Sequence, residues 1–301
     1  MRALTLSAYG DPEVLTVSDL PAPVPGPGQI LVRTAASAVN PVDLWARSGA
    51  LAGSIKHPFP LILGWDLSGT VEAAGKGVIR FSPGDQVVAM SAQLATGIGT
   101  HAEYVALDAS LAAPAPRTVD LVHAAALPLA GLTAYQALER IAPQPGEKLL
   151  VTGAAGAVGG FAVQLAAARG VEVIALVRPE DADLARELGA RQVLSSGAEV
   201  PTGIADVLLE TAGIAPKAMR AIRDGGRAAS ITAQPPTAER DITVLPTFVE
   251  QDGDQLAVLS RLVDEGVLTL RIAEVGGFGF GPEAHRKLAG GGIRGKLLLI
   301  P

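Results

Sequence analysis

The chain has 301 residues, 49% of them hydrophobic, with a formal net charge of −6 and no cysteine. The length suffices for two medium domains, and a mildly acidic chain without a basic cluster excludes a broad nucleic-acid-binding surface. The lack of cysteine excludes disulfide bonds and thiolate metal sites. Apolar stretches are shorter than a membrane span or a signal peptide requires, so we expect a cytoplasmic protein with no membrane partner.

The first 120 residues predict short strands separated by turns. Strands are predicted at 30–35, 69–73 and 86–90, and Gly- and Pro-containing turns surround them. Such spacing is typical of a compact, barrel-like β domain.

Strands and helices alternate from about residue 121. The Ala- and Leu-rich segment 122–138 is predicted to be helical, with Pro128 and Gly131 interrupting it. Strands are predicted at 148–152, 171–177, 207–210 and 227–231, and helices at 160–169, 181–188 and 255–263. The alternation predicts an α/β fold with a doubly wound parallel sheet. A helix at 282–288 and a strand at 296–300 complete the predicted elements.

The segment LLVTGAAGAVG at 149–159 joins a predicted strand to a predicted helix through glycines. Compared with the G-x-G-x-x-G motif, Ala154 replaces the first glycine, while Gly156 and Gly159 are kept. Backbone in such a turn can approach a pyrophosphate, and the N–H groups of the helix start bind its charge. The predicted cofactor-binding residues here are Gly153, Ala155, Gly156, Ala157 and Val158. The alternative is a turn needed only for strand–helix packing.

The end of the second strand of this region, Val177-Arg178, is expected to face the adenosine ribose of a dinucleotide. No carboxylate occupies that end, and a guanidinium suits a 2′-phosphate in charge and geometry. The sequence therefore predicts NADPH rather than NADH, although Glu180 and Asp181 weaken the positive field and Arg178 could be a solvated loop charge. The later strand ends place Thr211, Ala212, Ile231 and Thr232 in loops that are also expected to contact ligand.

Several short motifs occur in a fixed order around the glycine turn. They are NPVD at 40–43, GWDLSG at 64–69, GDQV at 84–87, GLTAY at 131–135 and RGK at 294–296. Their order and spacing resemble the medium-chain dehydrogenase/reductase superfamily, in its zinc-free NADPH quinone oxidoreductase (zeta-crystallin-like) branch. The resemblance covers essentially the whole chain. It implies a GroES-like β-barrel catalytic domain from residues 1–120 and 267–301, a Rossmann NADP-binding domain from residues 121–266, and a homodimer.

Zinc-dependent members of that superfamily have a cysteine at the turn where this chain has Asn40, and Gly-His-Glu where it has Gly64-Trp65-Asp66. They also carry a four-cysteine lobe that this chain lacks. The four histidines, His57, His101, His123 and His285, do not have metal-ligand spacing. We therefore expect no metal.

The resemblance also implies roles for single residues. It places Asn40 beside the nicotinamide ribose and Thr133 near the nicotinamide and pyrophosphate. It places the backbone of Phe248 at the carboxamide and Lys296 at the pyrophosphate. The alternatives are a turn former for Asn40, a helix-start hydroxyl for Thr133 and a solvated strand-start lysine for Lys296.

Trp45 stands where many members of the branch have a tyrosine that is sometimes proposed as the proton donor. An indole N–H can donate a hydrogen bond but cannot serve as a practical acid. We therefore expect the proton to come from water, or the reduced quinone to leave as an anion, with Trp45 forming an apolar wall for a planar substrate. The alternative is a buried core tryptophan.

The resulting prediction is a zinc-independent oxidoreductase that transfers a hydride from NADPH to a small quinone or α,β-unsaturated carbonyl. One alternative is an enoyl-thioester or alkenal reductase, which shares the cofactor and the hydride step. Another is an NADPH-binding sensor or structural protein with weak activity.

Overall fold

The structure, a computed structural model, describes residues 1–55, 57–92, 96–232 and 235–301. Its strands are β1 Arg2–Leu6, β2 Leu15–Asp19, β3 Gln29–Val39, β4 Leu61–Ile62, β5 Asp66–Ala74, β6 Gln86–Met90, β7 Tyr104–Asp108, β8 Ala112–Pro114, β9 Lys148–Thr152, β10 Glu172–Val177, β11 Gln192–Ser195, β12 Ala205–Glu210, β13 Ile222–Ser230, β14 Thr243–Pro246, β15 Ile272–Gly277 and β16 Lys296–Ile300. Its α-helices are α1 Pro41–Ser48, α2 Leu121–Ala124, α3 Pro128–Ile141, α4 Ala157–Ala168, α5 Ala182–Glu187, α6 Ala215–Met219, α7 Gly253–Asp264 and α8 Gly281–Gly290.

The chain forms two compact units. The first contains Met1–Leu129, Gln251–Glu265 and Leu270–Pro301, and the second contains Ala130–Glu250 and Gly266–Thr269. None of the helices in the described ranges is long and apolar enough to cross a membrane.

Helices α2 and α7, which the sequence boundaries 121 and 266 assign to the second domain, lie in the first unit. Helix α2 packs against β3 and β5, and the alanines beside it join a buried apolar cluster with Ala36 and Ala38. Helix α7 packs against β6 and β8. A Cβ atom on Gly253 would lie 2.3 Å from the carbonyl oxygen of Ser110, so the start of α7 is in close contact with that backbone. Packing on the β domain, and not sequence position, decides where these two helices belong.

The first unit contains two sheets. The smaller has the order β2-β1-β4, and the larger has the order β15-β16-β3-β5-β6-β8, with β7 also pairing β3. The carboxyl-terminal strand β16 runs antiparallel to β3, with Leu297 opposite Val39. This register brings the residue before Leu297 next to the residue after Val39, and so places Lys296 close to Asn40.

The second unit is built on a six-stranded sheet with the order β11-β10-β9-β12-β13-β14. Its neighbouring strands are parallel, and the order matches the doubly wound dinucleotide-binding arrangement. Leu150, Ile174 and Leu208 lie in its buried apolar core. Because parallel strands end at one edge of a sheet, the turn after β9 and the loops after β10, β12 and β13 share that edge. The predicted α/β fold class is confirmed.

Two histidines are buried in the first unit. Burial lowers the pKa of both His101 and His285 from 6.5 to about 3. Neither ring nitrogen of His285 has a hydrogen-bond partner among the described residues. This side chain is therefore a neutral polar group whose burial is not compensated by hydrogen bonds.

Replacing His285 by leucine should remove one source of acid sensitivity. Below pH 6.5 the unfolded histidine binds a proton while the folded one stays neutral down to about pH 3, so wild-type stability falls as the pH falls through this window. The difference in the free energy of unfolding between His285→Leu and wild type should therefore increase, in favour of the variant, by about 1.4 kcal/mol for each pH unit below 6.5. Urea denaturation at several pH values measures this, and a pH-independent difference would contradict it.

Candidate active site

A buried polar cluster surrounds the start of α1 in the first unit. The backbone N–H of Asn40 donates to Asp43 Oδ2 at 2.8 Å, and the backbone N–H of Gly64 donates to Asp43 Oδ1 at 2.9 Å. Asp43 therefore ties the helix start to the turn that precedes β5. Burial raises the pKa of Asp43 from 3.8 to about 7, because desolvation and the charge of Asp66 outweigh the two backbone hydrogen bonds and the attraction of Lys296.

The side chain of Asn40 is fixed by an ion pair. Its Nδ2 donates to Asp66 Oδ2 at 2.8 Å and to the carbonyl oxygen of Ala38 at 3.1 Å, while its Oδ1 accepts from Lys296 Nζ. The ammonium of Lys296 also lies 3.0 Å from Asp66 Oδ2, and both side chains are buried. Asp66 Oδ1 accepts from the backbone N–H of Leu129 at 2.6 Å, in the first turn of α3.

These contacts correct two of the alternative interpretations. Lys296 is not a solvated strand-start lysine, because its side chain is 5% exposed and its ammonium contacts Asn40 and Asp66. Asn40 does more than form a turn, because both of its amide hydrogens and its oxygen are used in the cluster. The role of Lys296 at a pyrophosphate stays a prediction.

Trp45 lies on α1 and is 42% exposed, so it is not a core tryptophan. Its indole is available at the surface of the first unit. The other tryptophan, Trp65, is the buried one.

The glycine turn of the second unit connects β9 to α4. Gly153 has a φ of +58°, and Gly156 is the extended N-cap residue of α4 and supplies no side-chain cap. A Cβ atom on Gly159 would lie 2.3 Å from the carbonyl oxygen of Gly153, so only glycine lets the helix approach the turn this closely. A Cβ atom on Gly156 would meet only that same oxygen, at 3.1 Å. The turn thus has a half-buried, glycine-containing backbone followed by a helix start, the arrangement that a pyrophosphate requires.

The other predicted residues of the second unit follow neighbouring strand ends. Thr211 makes two hydrogen bonds to Thr152, the residue that precedes the glycine turn. Its hydroxyl donates to the carbonyl oxygen of Thr152 at 2.6 Å, and its N–H donates to Thr152 Oγ1 at 2.8 Å. The predicted cofactor-binding residues at or after the ends of β10, β12, β13 and β14 are Val177, Arg178, Thr211, Ala212, Ile231, Thr232 and Phe248. Ala157 and Val158 are the first two residues of α4. Phe248 is 82% exposed. Thr133 lies apart from these loops in the chain, buried within α3.

Arg178 is held by carboxylates at the end of β10. Its Nε and one terminal nitrogen each lie 3.0 Å from Asp181 Oδ2, and Glu180 lies 3.4 Å away. The Asp181 side chain is buried, whereas that of Arg178 is 46% exposed. The guanidinium is therefore oriented by its neighbours and still accessible to a ligand.

Two carboxylates that organise these sites were not singled out for that role from the sequence. The sequence places Asp66 only where zinc-dependent relatives have a ligand, and it assigns Glu210 no role. Both are fully buried acidic residues at a strand terminus, since Asp66 is the first residue of β5 and Glu210 is the last residue of β12. Among the described residues, no group of three or more His, Asp or Glu side chains could hold a metal ion.

Comparison with known proteins covers both units. Residues 26–117 match the family described as Alcohol dehydrogenase GroES-like domain, and residues 157–252 match the family described as Zinc-binding dehydrogenase. The NADPH-dependent alkenal/one oxidoreductase, chloroplastic, of Arabidopsis thaliana is 31% identical, covering 100% of this chain and 80% of that protein. Quinone-oxidoreductase QR1, chloroplastic, of Triphysaria versicolor is 30% identical, covering 100% of this chain and 98% of that protein.

Solved structures show the same similarity in three dimensions. Mycobacterial Rv1454c complexed with NADPH has a TM-score of 0.85 and 27% identity, covering 100% of both chains. A protein described as an NAD-dependent alcohol dehydrogenase has a TM-score of 0.90 and 32% identity, also covering 100% of both chains.

The fold and the matches define a two-domain dehydrogenase with a GroES-like unit and a Rossmann-type parallel sheet. The chain belongs to the medium-chain dehydrogenase/reductase superfamily and is an oxidoreductase of its quinone and alkenal oxidoreductase branch. The family predicted from the motif order is confirmed.

The predicted cytoplasmic location is wrong by the same comparison. Both curated relatives described above are named chloroplastic. The lack of an apolar signal segment is the basis of that prediction. It does not identify the compartment in which the relatives of a chain are found.

Proposed function

We propose that this protein is an NADPH-dependent, zinc-independent oxidoreductase that reduces a quinone or an α,β-unsaturated carbonyl. The observation that carries the proposal is the glycine turn between β9 and α4, in a chain that matches alkenal/one and quinone oxidoreductases over its whole length. NADPH, when bound, supplies the hydride. The glycines of the turn support this cofactor, because a pyrophosphate needs a close approach to backbone that no bulky side chain obstructs.

The proposed cofactor-binding residues lie mainly at the carboxyl edge of the six-stranded sheet. The backbone of Gly153, Ala155, Gly156, Ala157 and Val158 would bind the pyrophosphate, and Arg178 beside Val177 would bind the 2′-phosphate. Thr211, Ala212, Ile231 and Thr232, with the backbone of Phe248, would bind the nicotinamide half, together with Thr133. In this proposal the Rossmann-type unit is the NADP-binding domain and the GroES-like unit is the catalytic domain.

In the GroES-like unit, Asn40 would orient the nicotinamide ribose. Its amide hydrogens are already donated to Ala38 and Asp66, so its Oδ1 is the atom that can accept a further hydrogen bond. Trp45 would form an apolar wall for a planar substrate, which its exposure supports. Because an indole is not a practical acid, water would supply the proton that completes the reduction.

The proposed assembly is a homodimer. Strand β14 is an edge of the six-stranded sheet and pairs only with β13 among the described strands. Such an edge presents unpaired backbone groups that a second copy can satisfy.

Arg178→Ala should weaken NADPH selectively. A hydrogen bond to a charged group contributes about 1.5–3 kcal/mol, which corresponds to roughly 10- to 150-fold in binding. Because Asp181 already neutralises part of the guanidinium charge, we expect the low end, an increase in KM for NADPH of about tenfold. NADH lacks the 2′-phosphate, and its KM should be nearly unchanged.

The matched control is Arg191→Ala, which removes an exposed arginine paired with Glu172 at the opposite end of β10. It should leave the KM values of both cofactors at wild-type levels. If NADH and NADPH weakened equally in Arg178→Ala, the arginine would hold its loop and not the phosphate.

Metal removal should have no effect. The chain has no cysteine, and Trp65-Asp66 stands where zinc-dependent relatives have His-Glu. We expect metal analysis of the purified protein to find no stoichiometric zinc and reductase activity to persist in a chelator. One tightly bound zinc per chain, or activity lost on chelation and restored by zinc, would refute this.

A further inference from the structure

Glu210, the last residue of β12, is fully buried and accepts several hydrogen bonds. Its Oε1 accepts from the hydroxyl of Thr152 at 3.1 Å and from the backbone N–H groups of Ala212 at 2.9 Å and Ile214 at 3.0 Å. One carboxylate oxygen therefore connects the end of β9 to the loop that follows β12.

The second oxygen faces the next strand. Oε2 lies 3.4 Å from the hydroxyl of Ser230 and accepts from that of Thr232 at 3.2 Å, and those two hydroxyls are 2.9 Å apart. Ser230 is the last residue of β13, and Thr232 lies in the loop that follows it. Among the described residues no basic side chain lies within salt-bridge distance of Glu210, so hydrogen bonds alone compensate its burial.

The hydrogen bonds also fix the direction of the Thr152 hydroxyl. Because its oxygen accepts from the backbone N–H of Thr211 at 2.8 Å, its proton is directed to Glu210. The carboxylate thereby orders residues 211–214 and 230–232 relative to the strand that leads into the glycine turn.

We infer that Glu210 is a positioning residue for the cofactor, holding the loops after β12 and β13 in their binding conformation. The inference rests on the proposed function, because these loops contain the residues assigned to the nicotinamide half. Glu210 does not touch the cofactor in this role. It acts through Ala212 and Thr232.

A glutamine at this position should preserve most of the arrangement. Its carbonyl oxygen can accept from the two backbone N–H groups, and its amide can donate to the hydroxyls of Ser230 and Thr232, which can accept. Alanine removes every acceptor and leaves two backbone N–H groups without a partner. The two variants separate loss of the hydrogen bonds from loss of the charge.

The experiment compares Glu210→Ala, Glu210→Gln and the control Asp206→Asn. Asp206 lies at the amino end of the same strand, where it accepts from the backbone of Lys148 and pairs with Arg223. We expect Glu210→Ala to raise the Kd and KM for NADPH about tenfold or more, as loss of hydrogen bonds to a charged group does. The KM for the quinone should stay at the wild-type value, Glu210→Gln should stay within about threefold of wild type, and Asp206→Asn should not change NADPH binding.

Hydrogen exchange provides a readout that needs no cofactor. The amides of Ala212 and Ile214 should exchange faster in Glu210→Ala, while those of the central strand β9 stay protected. If Glu210→Ala does not fold, Glu210→Asp makes the same test, because it keeps the charge but withdraws the oxygens from their donors. Wild-type NADPH affinity in the folded variant, or equal weakening in Asp206→Asn, would overturn the inference. Wild-type protein that binds no NADPH, with exchange still accelerated in the variant, would refute the proposed function and leave the loop-ordering role.

Discussion

Gly156→Val is expected to fold normally and to lose NADPH binding by about 100-fold or more, since displacing two charge-assisted hydrogen bonds of about 1.5–3 kcal/mol each has that effect. The valine side chain would stand at the N-cap of α4, where the pyrophosphate must approach the backbone. Titration of the purified variant with NADPH measures the effect, and circular dichroism checks the fold.

The structure explains why the fold should survive this change. Gly156 has φ −74° and ψ 174°, a conformation open to any residue, and a Cβ atom there would lie 3.1 Å from the carbonyl oxygen of Gly153, a tight contact that a shift of a few tenths of an ångström relieves. Gly159 would not serve as the test, because a Cβ atom there would lie 2.3 Å from the same oxygen and disturb the packing of α4.

The matched control for the glycine turn is Gly197→Val. Gly197 is an exposed loop glycine of the same unit, and a Cβ atom there would meet only a serine oxygen at 3.7 Å. It should bind NADPH like wild type. A folded Gly156→Val protein with wild-type NADPH affinity would show that the turn is not the pyrophosphate site.

Lys296→Met is expected to lower the free energy of unfolding by about 3–5 kcal/mol, because it leaves the buried carboxylate of Asp66 without its cation. The ammonium lies 3.0 Å from Asp66 Oδ2, and the two side chains are 5% and 0% exposed. Urea denaturation at neutral pH measures the loss.

A double variant separates the charge from the packing. Asp66→Asn combined with Lys296→Met removes both charges at similar volume, so it should be distinctly more stable than Lys296→Met alone. The Oδ1 of an asparagine at position 66 can still accept from the backbone of Leu129. If Lys296→Met cost less than about 1 kcal/mol, a value typical of exposed pairs, the ion pair would not be buried as described.

The predicted strands that matched best were those with an apolar run between clear turn residues. Strands β6, β9 and β16 have the predicted bounds. Turns such as Pro83-Gly84-Asp85 precede β6 and β9, and a lysine begins both β9 and β16. Pro128, which the sequence predicts to interrupt a helix, begins α3, where its missing N–H removes no helical hydrogen bond. The edge strand β14 and the short β11 were not predicted, since partly exposed strands of four residues carry little apolar signal.

The residue types of the candidate site could be predicted, but their partners could not. Asn40 and Lys296 are 256 positions apart, and only the pairing of β16 with β3 brings them together. In the same way, Glu210 accepts hydrogen bonds from residues at the ends of β9 and β13, as well as from the loop that directly follows it. Contacts of this kind depend on sheet register, which a local pattern does not contain.

The direct test of the proposed function is the steady-state oxidation of NADPH and NADH against a quinone, an alkenal or enone, and an enoyl thioester, with a chelator present. A separate assay measures the oxidation of simple alcohols by NAD⁺, because one structural neighbour is described as an NAD-dependent alcohol dehydrogenase. We predict turnover of a quinone or an enone, faster with NADPH than with NADH and unaffected by the chelator. NADPH binding without turnover of any acceptor would favour a sensor, and turnover restricted to alcohols with NAD⁺ would contradict the proposed reaction and cofactor together.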